Sequence, residues 1–300
     1  MTTTTTSTQT QTQPKFAVTT PDPPIPRGPT RATLTFYSPP PDGSAPYNYV
    51  ETPPPNHPQR NYAEAPHDVT ISDIRGREAE FSTDTNGFAV LQNLPPSAER
   101  EFTDDERIKE TYYPEVQKLL LENLPGNADR VVIFDHTIRR SHPGAKRAPV
   151  TRAHIDQTTR SAEARVHQHM SAAEAPELLK GRVRLVNVWR PLNGPVVSSP
   201  LAFADSRSVP DSEIVGVEHR YPDRTGETAG VKYAEGAEWY YWSGIGNGER
   251  ILLQCYDSAL GARTPHTAFV DPRTQEGWRG RESIEVRALV FGISKDCNFV

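Results

Sequence analysis

The sequence lacks two features that mark common functional classes. It has no excess of basic residues, because 33 Lys and Arg stand against 38 Asp and Glu in 300 residues, giving a formal net charge of -5. This balance argues against a surface built to neutralise nucleic-acid phosphates or anionic lipids. Apolar runs such as residues 131–134 are only a few residues long, far short of the roughly 20 needed to cross a bilayer. We therefore expect neither a nucleic-acid partner nor a membrane span.

Cysteine is scarce, and no export signal is visible. The two cysteines, Cys255 and Cys297, cannot support a disulfide framework and are read as free thiols of a reducing compartment. The first residues, MTTTTTSTQTQTQP, contain neither the basic region nor the apolar region of a secretory signal. We therefore expect a cytoplasmic protein.

Proline, by contrast, is abundant and unevenly distributed. Five of the 29 prolines lie between Pro21 and Pro29, after a Thr- and Gln-rich stretch, so residues 1–30 have little to bury and predict a disordered or extended arm. A second cluster from Pro39 to Pro58 predicts a long extended loop. Residues 31–300 suit a single domain. Strand edges and the proline-rich residues 14–60 also suggest a homodimer as a hypothesis.

Short β-branched or aromatic runs between turn residues dominate the rest of the chain and predict strands. Two helical zones interrupt them. The first has a capping-box pattern at Thr103 and Glu106 and a predicted break at Pro114, and the second runs from Ser161 to Lys180. We expect an α+β, mainly β, chain with a barrel or sandwich core buttressed by a few helices. The predicted strands are 33–37, 69–74, 88–91, 131–136, 150–155, 183–189, 214–219, 230–233, 239–242, 251–256, 267–270 and 284–291.

A candidate metal site comes from three side chains. His154 and Asp156 are two residues apart at the end of a predicted strand, so their side chains point the same way and can bind one ion. His266 begins another predicted strand and supplies a second imidazole if the two strands are neighbours. Two imidazoles and one carboxylate form the facial triad of Fe(II) sites, which leaves positions open for a co-substrate and dioxygen. A surface pair of His154 with Asp156 and a structural His266 would give the same pattern.

A candidate anion clamp follows His266 by fifteen residues. Arg281 and Ser283 open the last predicted strand, where a guanidinium can bind a carboxylate and a hydroxyl at i+2 can add a hydrogen bond. A solvated charge at the strand end is the alternative interpretation of Arg281.

These residues resemble a known family. The triad and Arg281-x-Ser283 are similar to the Fe(II)/2-oxoglutarate-dependent oxygenases of the double-stranded β-helix (jelly-roll) fold. The surrounding phrases resemble the fungal hydroxylase/desaturase group, which includes the aspergillic-acid hydroxylase, the gibberellin desaturase and the cephalosporin 7-methoxylase. The likeness covers about residues 30 to 295. The phrases are FDHTIRR at 134–140, NVWRP at 187–191, YYW at 240–242, YDS at 256–258, PHTAF at 265–269 and RESIEVR at 281–287.

The resemblance implies a role for each matching position. His154, Asp156 and His266 would bind Fe(II), and Arg281 with Ser283 would hold the C5 carboxylate of 2-oxoglutarate, with Arg287 as an alternative clamp. Dioxygen would be the second co-substrate. Halogenases of this type lack the carboxylate ligand, so Asp156 favours hydroxylation, desaturation or oxidative cyclisation of a small molecule in secondary-metabolite biosynthesis.

Substrate contacts are predicted from strand alternation and from the same phrases. Asn187 and Trp189 share one face of a predicted strand, and Asn187 is polar on an otherwise apolar face, which predicts that it lines the cavity. Arg139, Arg190 and Trp242 are the other candidates. Two further functions fit the triad. One is a zinc-dependent hydrolase using the same three ligands, and the other is a non-catalytic barrel-type binding protein.

Overall fold

The computed structural model describes residues 24–142 and 144–294. Residues 1–23 of the predicted arm and Cys297 lie outside these ranges. Strand is the commonest regular structure in the described chain. The strands are β1 (Thr30–Ser38), β2 (Tyr47–Tyr49), β3 (Ala63–Asp73), β4 (Phe88–Leu91), β5 (Ala128–Arg140), β6 (His154–Ile155), β7 (Gly181–Pro191), β8 (Leu201–Ala204), β9 (Ile214–Arg220), β10 (Thr225–Val231), β11 (Trp239–Tyr241), β12 (Arg250–Asp257), β13 (His266–Ala268) and β14 (Glu282–Ser294).

The helices are short and lie between strands. They are α1 (Thr83–Asn86), α2 (Asp105–Arg107), α3 (Tyr113–Asn123), α4 (Thr159–His169) and α5 (Glu174–Leu178), with 3-10 turns at Glu78–Glu80, Ser206–Ser208 and Asp211–Glu213. Within the described ranges, no helix has the length and apolar character needed to span a membrane.

Two curled sheets form the jelly-roll core. The larger has nine strands in the order β1-β3-β11-β8-β13-β6-β10-β9-β2, and the smaller has five in the order β4-β12-β7-β14-β5. Apolar side chains from both sheets share one buried cluster, in which Phe203 of β8 packs with Leu253 of β12 and Trp189 of β7. The larger sheet also curls back on itself, because the Ala153 amide donates to the Thr35 carbonyl of its edge strand β1.

Strand prediction was wrong in detail where neighbouring strands decide the pairing. The predicted strand 150–155 shrinks to β6, because the Val150 carbonyl accepts from the Ala268 amide and Arg152 instead bridges Thr35. Strand β8 was missed, since its sequence LAFA has no β-branched residue. Strand β2 was missed inside the proline-rich segment, so part of the predicted loop is sheet.

The first helical zone starts one residue later than predicted. The Asp104 carboxylate, rather than the Thr103 hydroxyl, accepts from a backbone amide of the first turn, that of Arg107. A π-helical turn, Ile108–Tyr112, then connects α2 to α3. Pro114 lies in the first turn of α3, directly after the π-helical turn, so the α-helix restarts there as predicted although the helical path from α2 is continuous.

Strand alternation in the five-stranded sheet positions the polar side chains of the interior. On β7, Val186 and Val188 pack towards α3, whereas Leu185 and Trp189 pack on the opposite side with residues of the nine-stranded sheet. Asn187 shares the face of Leu185 and Trp189 by its position on the strand. On the neighbouring strand β14, Ser283, Glu285 and Arg287 point to this same side of the sheet, and Arg287 is paired with Asn187. A row of polar groups therefore runs through the middle of the core.

Candidate metal centre

Three side chains that could bind one metal ion come together between the two sheets. Strands β13 and β6 pair with His266 opposite His154, and Asp156 follows β6 directly. One ligand atom from each of His154, Asp156 and His266 lies within 4.8 Å of the others. The imidazole ring centroids are 4.5 Å apart, and His154 Nε2 is 3.3 Å from Asp156 Oδ1. The neighbouring strands required by the sequence analysis are therefore present.

The hydrogen bonds of the two imidazoles fix which nitrogen is free. His154 Nδ1 lies 2.8 Å from the Arg152 carbonyl, and His266 Nδ1 lies 3.1 Å from the Thr264 carbonyl. A carbonyl only accepts, so both Nδ1 atoms donate, and in a neutral ring this leaves Nε2 with a lone pair. Both imidazoles are thus oriented by backbone groups as metal ligands usually are.

The charges of the cluster also suit a cation. Burial and the neighbouring His154 lower the pKa of His266 to about 4, so its imidazole is neutral near pH 7. Burial would raise the pKa of Asp156, but the Arg287 guanidinium and the two imidazoles hold it well below its usual range. Two imidazole nitrogens, that of His266 in a neutral ring, and one carboxylate fit an Fe(II) ion.

A small cavity beside this cluster is lined by a buried arginine without a carboxylate partner. Arg281 Nη1 donates to the Ser199 carbonyl (2.7 Å), and its guanidinium lies 5.3 Å from the Trp189 ring centroid. Arg281 Nε is buried with no hydrogen-bond partner, and no carboxylate of the described residues forms an ion pair with this side chain. Burial, followed by the nearby Arg139, lowers the pKa of Arg281 to about 9. A bound carboxylate would satisfy this guanidinium.

Arg287, the alternative clamp, is already neutralised. Its Nε donates to Asp156 Oδ2 at 2.6 Å, its Nη1 donates to Asp135 (3.2 Å) and Thr137 (3.0 Å), and its Nη2 donates to Glu285. These bonds leave no free edge for a ligand carboxylate. The structure therefore corrects the alternative prediction that Arg287 binds the co-substrate.

Four more predicted residues lie around the same space. Arg139 and Trp189 line the cavity, and Arg139 Nη1 donates to the Ala148 carbonyl. Asn187 is fully buried, and its Nδ2 donates to Asp156 Oδ2 at 2.7 Å. Ser283 is buried and pairs with Arg139 across the sheet.

Two predicted substrate contacts have other partners. Arg190 points to the outer side of the five-stranded sheet, with its guanidinium 5.2 Å from the Phe102 ring and 5.6 Å from the Tyr112 ring. Trp242 is buried, its Nε1 donates to Glu78, and Arg75 covers its ring at 4.3 Å. Neither residue lines the cavity beside the cluster. The structure corrects both predictions, because these side chains pack within the fold.

Replacing Arg190 by methionine is therefore expected to affect stability only. The lost interaction of the guanidinium with two aromatic rings should lower the free energy of unfolding by about 1 kcal/mol. The metal affinity and the KM for 2-oxoglutarate should not change, because Arg190 lies on the opposite face from the cluster. Chemical denaturation and a succinate-release assay check the two parts, and a raised KM would return Arg190 to the site.

The sequence analysis missed several cavity residues, of which Glu285 is the most informative. Glu285 lines the cavity with Arg139 and Arg281, and burial raises its pKa although Arg287 opposes this. Its position two residues after Ser283 on a strand was a usable signal, since alternation places it on the same face. Val150 and Leu201 also line the cavity and carried no sequence signal of their own.

Comparison with known proteins gives the family of this site. The family model described as "Oxidoreductase/YMDC permease-like domain" matches residues 34–291. The "Hydroxylase/desaturase poxK" of Penicillium oxalicum is 36% identical over 303 residues, covering 90% of this chain and 93% of that protein. The "Fe(II)/2-oxoglutarate-dependent dioxygenase nvfI" of Aspergillus novofumigatus is 33% identical, covering 81% of this chain and 90% of that protein. The chain belongs to the fungal Fe(II)/2-oxoglutarate-dependent oxygenases.

A solved structure of this oxygenase family shares the fold. The "iron and alpha-ketoglutarate-dependent endoperoxidase NvfI" superimposes with a TM-score of 0.80 at 30% identity, covering 89% of this chain and all of that one. The predicted jelly-roll, the enzyme class, and Fe(II), 2-oxoglutarate and dioxygen as cofactor and co-substrates are confirmed. Membership of this family excludes the two alternative functions, a zinc hydrolase and a non-catalytic binding protein, because its members oxidise small molecules.

Proposed function

We propose that His154, Asp156 and His266 are the ligands of the Fe(II) in this oxygenase. The support is the convergence of their ligand atoms within 4.8 Å and the neutral state of His266. When bound, iron and 2-oxoglutarate together activate dioxygen to oxidise an unactivated C–H bond, and 2-oxoglutarate leaves as succinate and CO2. The two backbone carbonyls behind the imidazoles keep the Nε2 atoms directed at the ion.

Arg281 is the proposed partner of the C5 carboxylate of 2-oxoglutarate, with Ser283 beside it on the same strand face. The observation that carries this assignment is that Arg281 is buried, faces the cavity and has no carboxylate partner among residues 24–142 and 144–294. A guanidinium buried in this state is costly unless a ligand neutralises it. Trp189 and Leu201 form apolar walls of the cavity and exclude water from the bound co-substrate.

The substrate is a small molecule, and Arg139 and Trp189 are its proposed contacts. Arg139 brings a positive charge to a cavity whose lining also includes the apolar Leu201 and Val150. Asp156 occupies the third protein position at the metal, so a halide has no place there. The proposed outcome is hydroxylation, desaturation or oxidative cyclisation, as part of secondary-metabolite biosynthesis.

The proposed function predicts a strict requirement for three reagents. Succinate should form from 2-oxoglutarate only when Fe(II) and dioxygen are both present, and a small molecule that is a substrate should accelerate its release. Succinate is measured over a panel of fungal secondary metabolites, with Zn(II) in place of Fe(II) as the control. Conversion of a substrate with Zn(II) in the absence of dioxygen would contradict the proposal and support hydrolysis.

The proposal also includes a cytoplasmic location and a homodimeric state. The buried free thiol of Cys255 supports a reducing compartment. Both edge strands of the nine-stranded sheet, β1 and β2, fall within residues 14–60, and edge strands can pair with a second copy. Light scattering on the full chain should give the mass of two chains, and the mass of one chain would contradict the dimer.

A further inference from the structure

In the described part of the chain, the two shortest hydrogen bonds to the Asp156 carboxylate both go to the same oxygen, Oδ2. Oδ2 accepts from Asn187 Nδ2 (2.7 Å) and from Arg287 Nε (2.6 Å). Oδ1 faces the imidazole of His154, at 3.3 Å from Nε2. Because Asn187 and Arg287 are paired across β7 and β14, both donors come from adjacent positions of the five-stranded sheet.

We propose that Asn187 and Arg287 are positioning residues that make Asp156 a one-oxygen ligand of the metal. This inference rests on the proposed function, in which Asp156 binds the iron. Two hydrogen bonds saturate Oδ2 and prevent the carboxylate from turning, so only Oδ1 is offered to the ion. Limiting Asp156 to one position keeps the other positions open for 2-oxoglutarate and dioxygen.

The state of Asn187 shows that the fold alone does not require an amide there. Its Oδ1 is buried and has no hydrogen-bond partner among the residues that the structure describes, which is a destabilising feature. Its neighbours on the same face of the strand, Leu185 and Trp189, are apolar and buried. A leucine would fill the position without an unsatisfied oxygen. The role of the amide is therefore to donate its hydrogen bond to Asp156.

Arg287 is itself braced, so the position of Asp156 is set by several strands. Its guanidinium is fixed by Asp135 and Thr137 on β5 and by Glu285 on β14. The two histidines belong to the nine-stranded sheet, whereas the groups that orient the carboxylate belong to the five-stranded sheet. Asp156 thus joins the two halves of the jelly-roll at the metal.

Replacing Asn187 by leucine tests the inference without relying on turnover. Co(II) is titrated into the metal-free protein, with calorimetry for affinity and visible absorption for coordination. The variant should bind Co(II) roughly 10- to 100-fold more weakly, which is the typical effect of removing a residue that hydrogen-bonds a metal ligand. Its absorption spectrum should change because Oδ2, then held by Arg287 alone, can turn towards the metal. The thermal midpoint of the metal-free protein should not fall.

The control variant is Gln254→Leu on the adjacent strand β12. Gln254 is also fully buried and also has an unpartnered side-chain oxygen, but its amide donates to the Thr83 carbonyl and Asp257. This variant should keep the Co(II) affinity and spectrum of the wild type. Arg287→Lys, which retains the charge but not the planar set of donors, should show an intermediate loss of affinity.

Wild-type Co(II) affinity and an unchanged spectrum in Asn187→Leu would overturn this inference and leave the iron ligands as proposed. Absence of Co(II) binding by the wild type, or unaltered binding by His266→Ala, would instead remove the proposed function, and this inference with it. The two failures are therefore distinguishable in one set of titrations.

Discussion

Replacing His266 by alanine should abolish oxidation and weaken Fe(II) binding by more than about 100-fold, because loss of a ligand exceeds the effect of losing a supporting residue. His266 is buried beside His154 and supplies one of only two nitrogen donors. Calorimetry with Fe(II) under anaerobic conditions measures the affinity, and far-UV circular dichroism checks that the variant is folded.

The control for this variant is His136→Ala. His136 lies on β5, where its ring contacts Tyr113 through Nδ1 (2.9 Å) and Asp105 through Nε2 (3.4 Å). These partners are structural, so loss of this imidazole should not change the Fe(II) affinity. If His266→Ala bound Fe(II) as well as His136→Ala does, the assignment of the ligands would be wrong.

Replacing Arg281 by methionine should separate co-substrate binding from stability. Removing one partner of a buried ion pair costs about 2–5 kcal/mol, so the Kd for 2-oxoglutarate should rise roughly 30- to 5000-fold. The stability of the protein without 2-oxoglutarate should change little. The variant loses the hydrogen bond to Ser199 and the contact with Trp189, but it also loses a buried charge that no carboxylate of the described residues neutralises. Equilibrium binding and denaturation measure the two effects.

Arg287→Met is the matched variant, and it should behave in the opposite way. It leaves Asp156, Glu285 and Asp135 without their shared counter-charge, so the free energy of unfolding should fall by about 3–5 kcal/mol. If Arg281→Met were the destabilised variant and bound 2-oxoglutarate normally, the roles given to the two arginines would be reversed.

The sequence was most informative where alternation along a strand decides the direction of a side chain. Period-two spacing predicted that Asn187 and Trp189 share a face, and the structure places Asn187 on Asp156 and Trp189 at the cavity. It also predicted that His154 and Asp156 point the same way, and their ligand atoms do come together at the end of β6. The family was predicted from the phrases around these residues, and the comparisons confirm it.

What the sequence could not give depends on which strands are neighbours. Arg281 and Arg287 look equivalent in the phrase RESIEVR. The pairing of β14 with β5 distinguishes them, because it brings Asp135 and Thr137 within hydrogen-bond distance of Arg287. The sequence predicts Trp242 as a substrate contact, because its hydrogen bond to Glu78, 164 residues away, cannot be read from the local sequence. Contacts of this range are set by the tertiary fold.

The most direct test of the account is the visible spectrum of the enzyme with Fe(II) and 2-oxoglutarate under strict anaerobiosis. The wild type should show a weak metal-to-ligand charge-transfer band when 2-oxoglutarate is added to the Fe(II)-loaded protein. The band should be absent in His266→Ala and should require much more 2-oxoglutarate in Arg281→Met. No band from the wild type at saturating Fe(II) and 2-oxoglutarate would contradict the assignment of His154, Asp156 and His266 as the iron site.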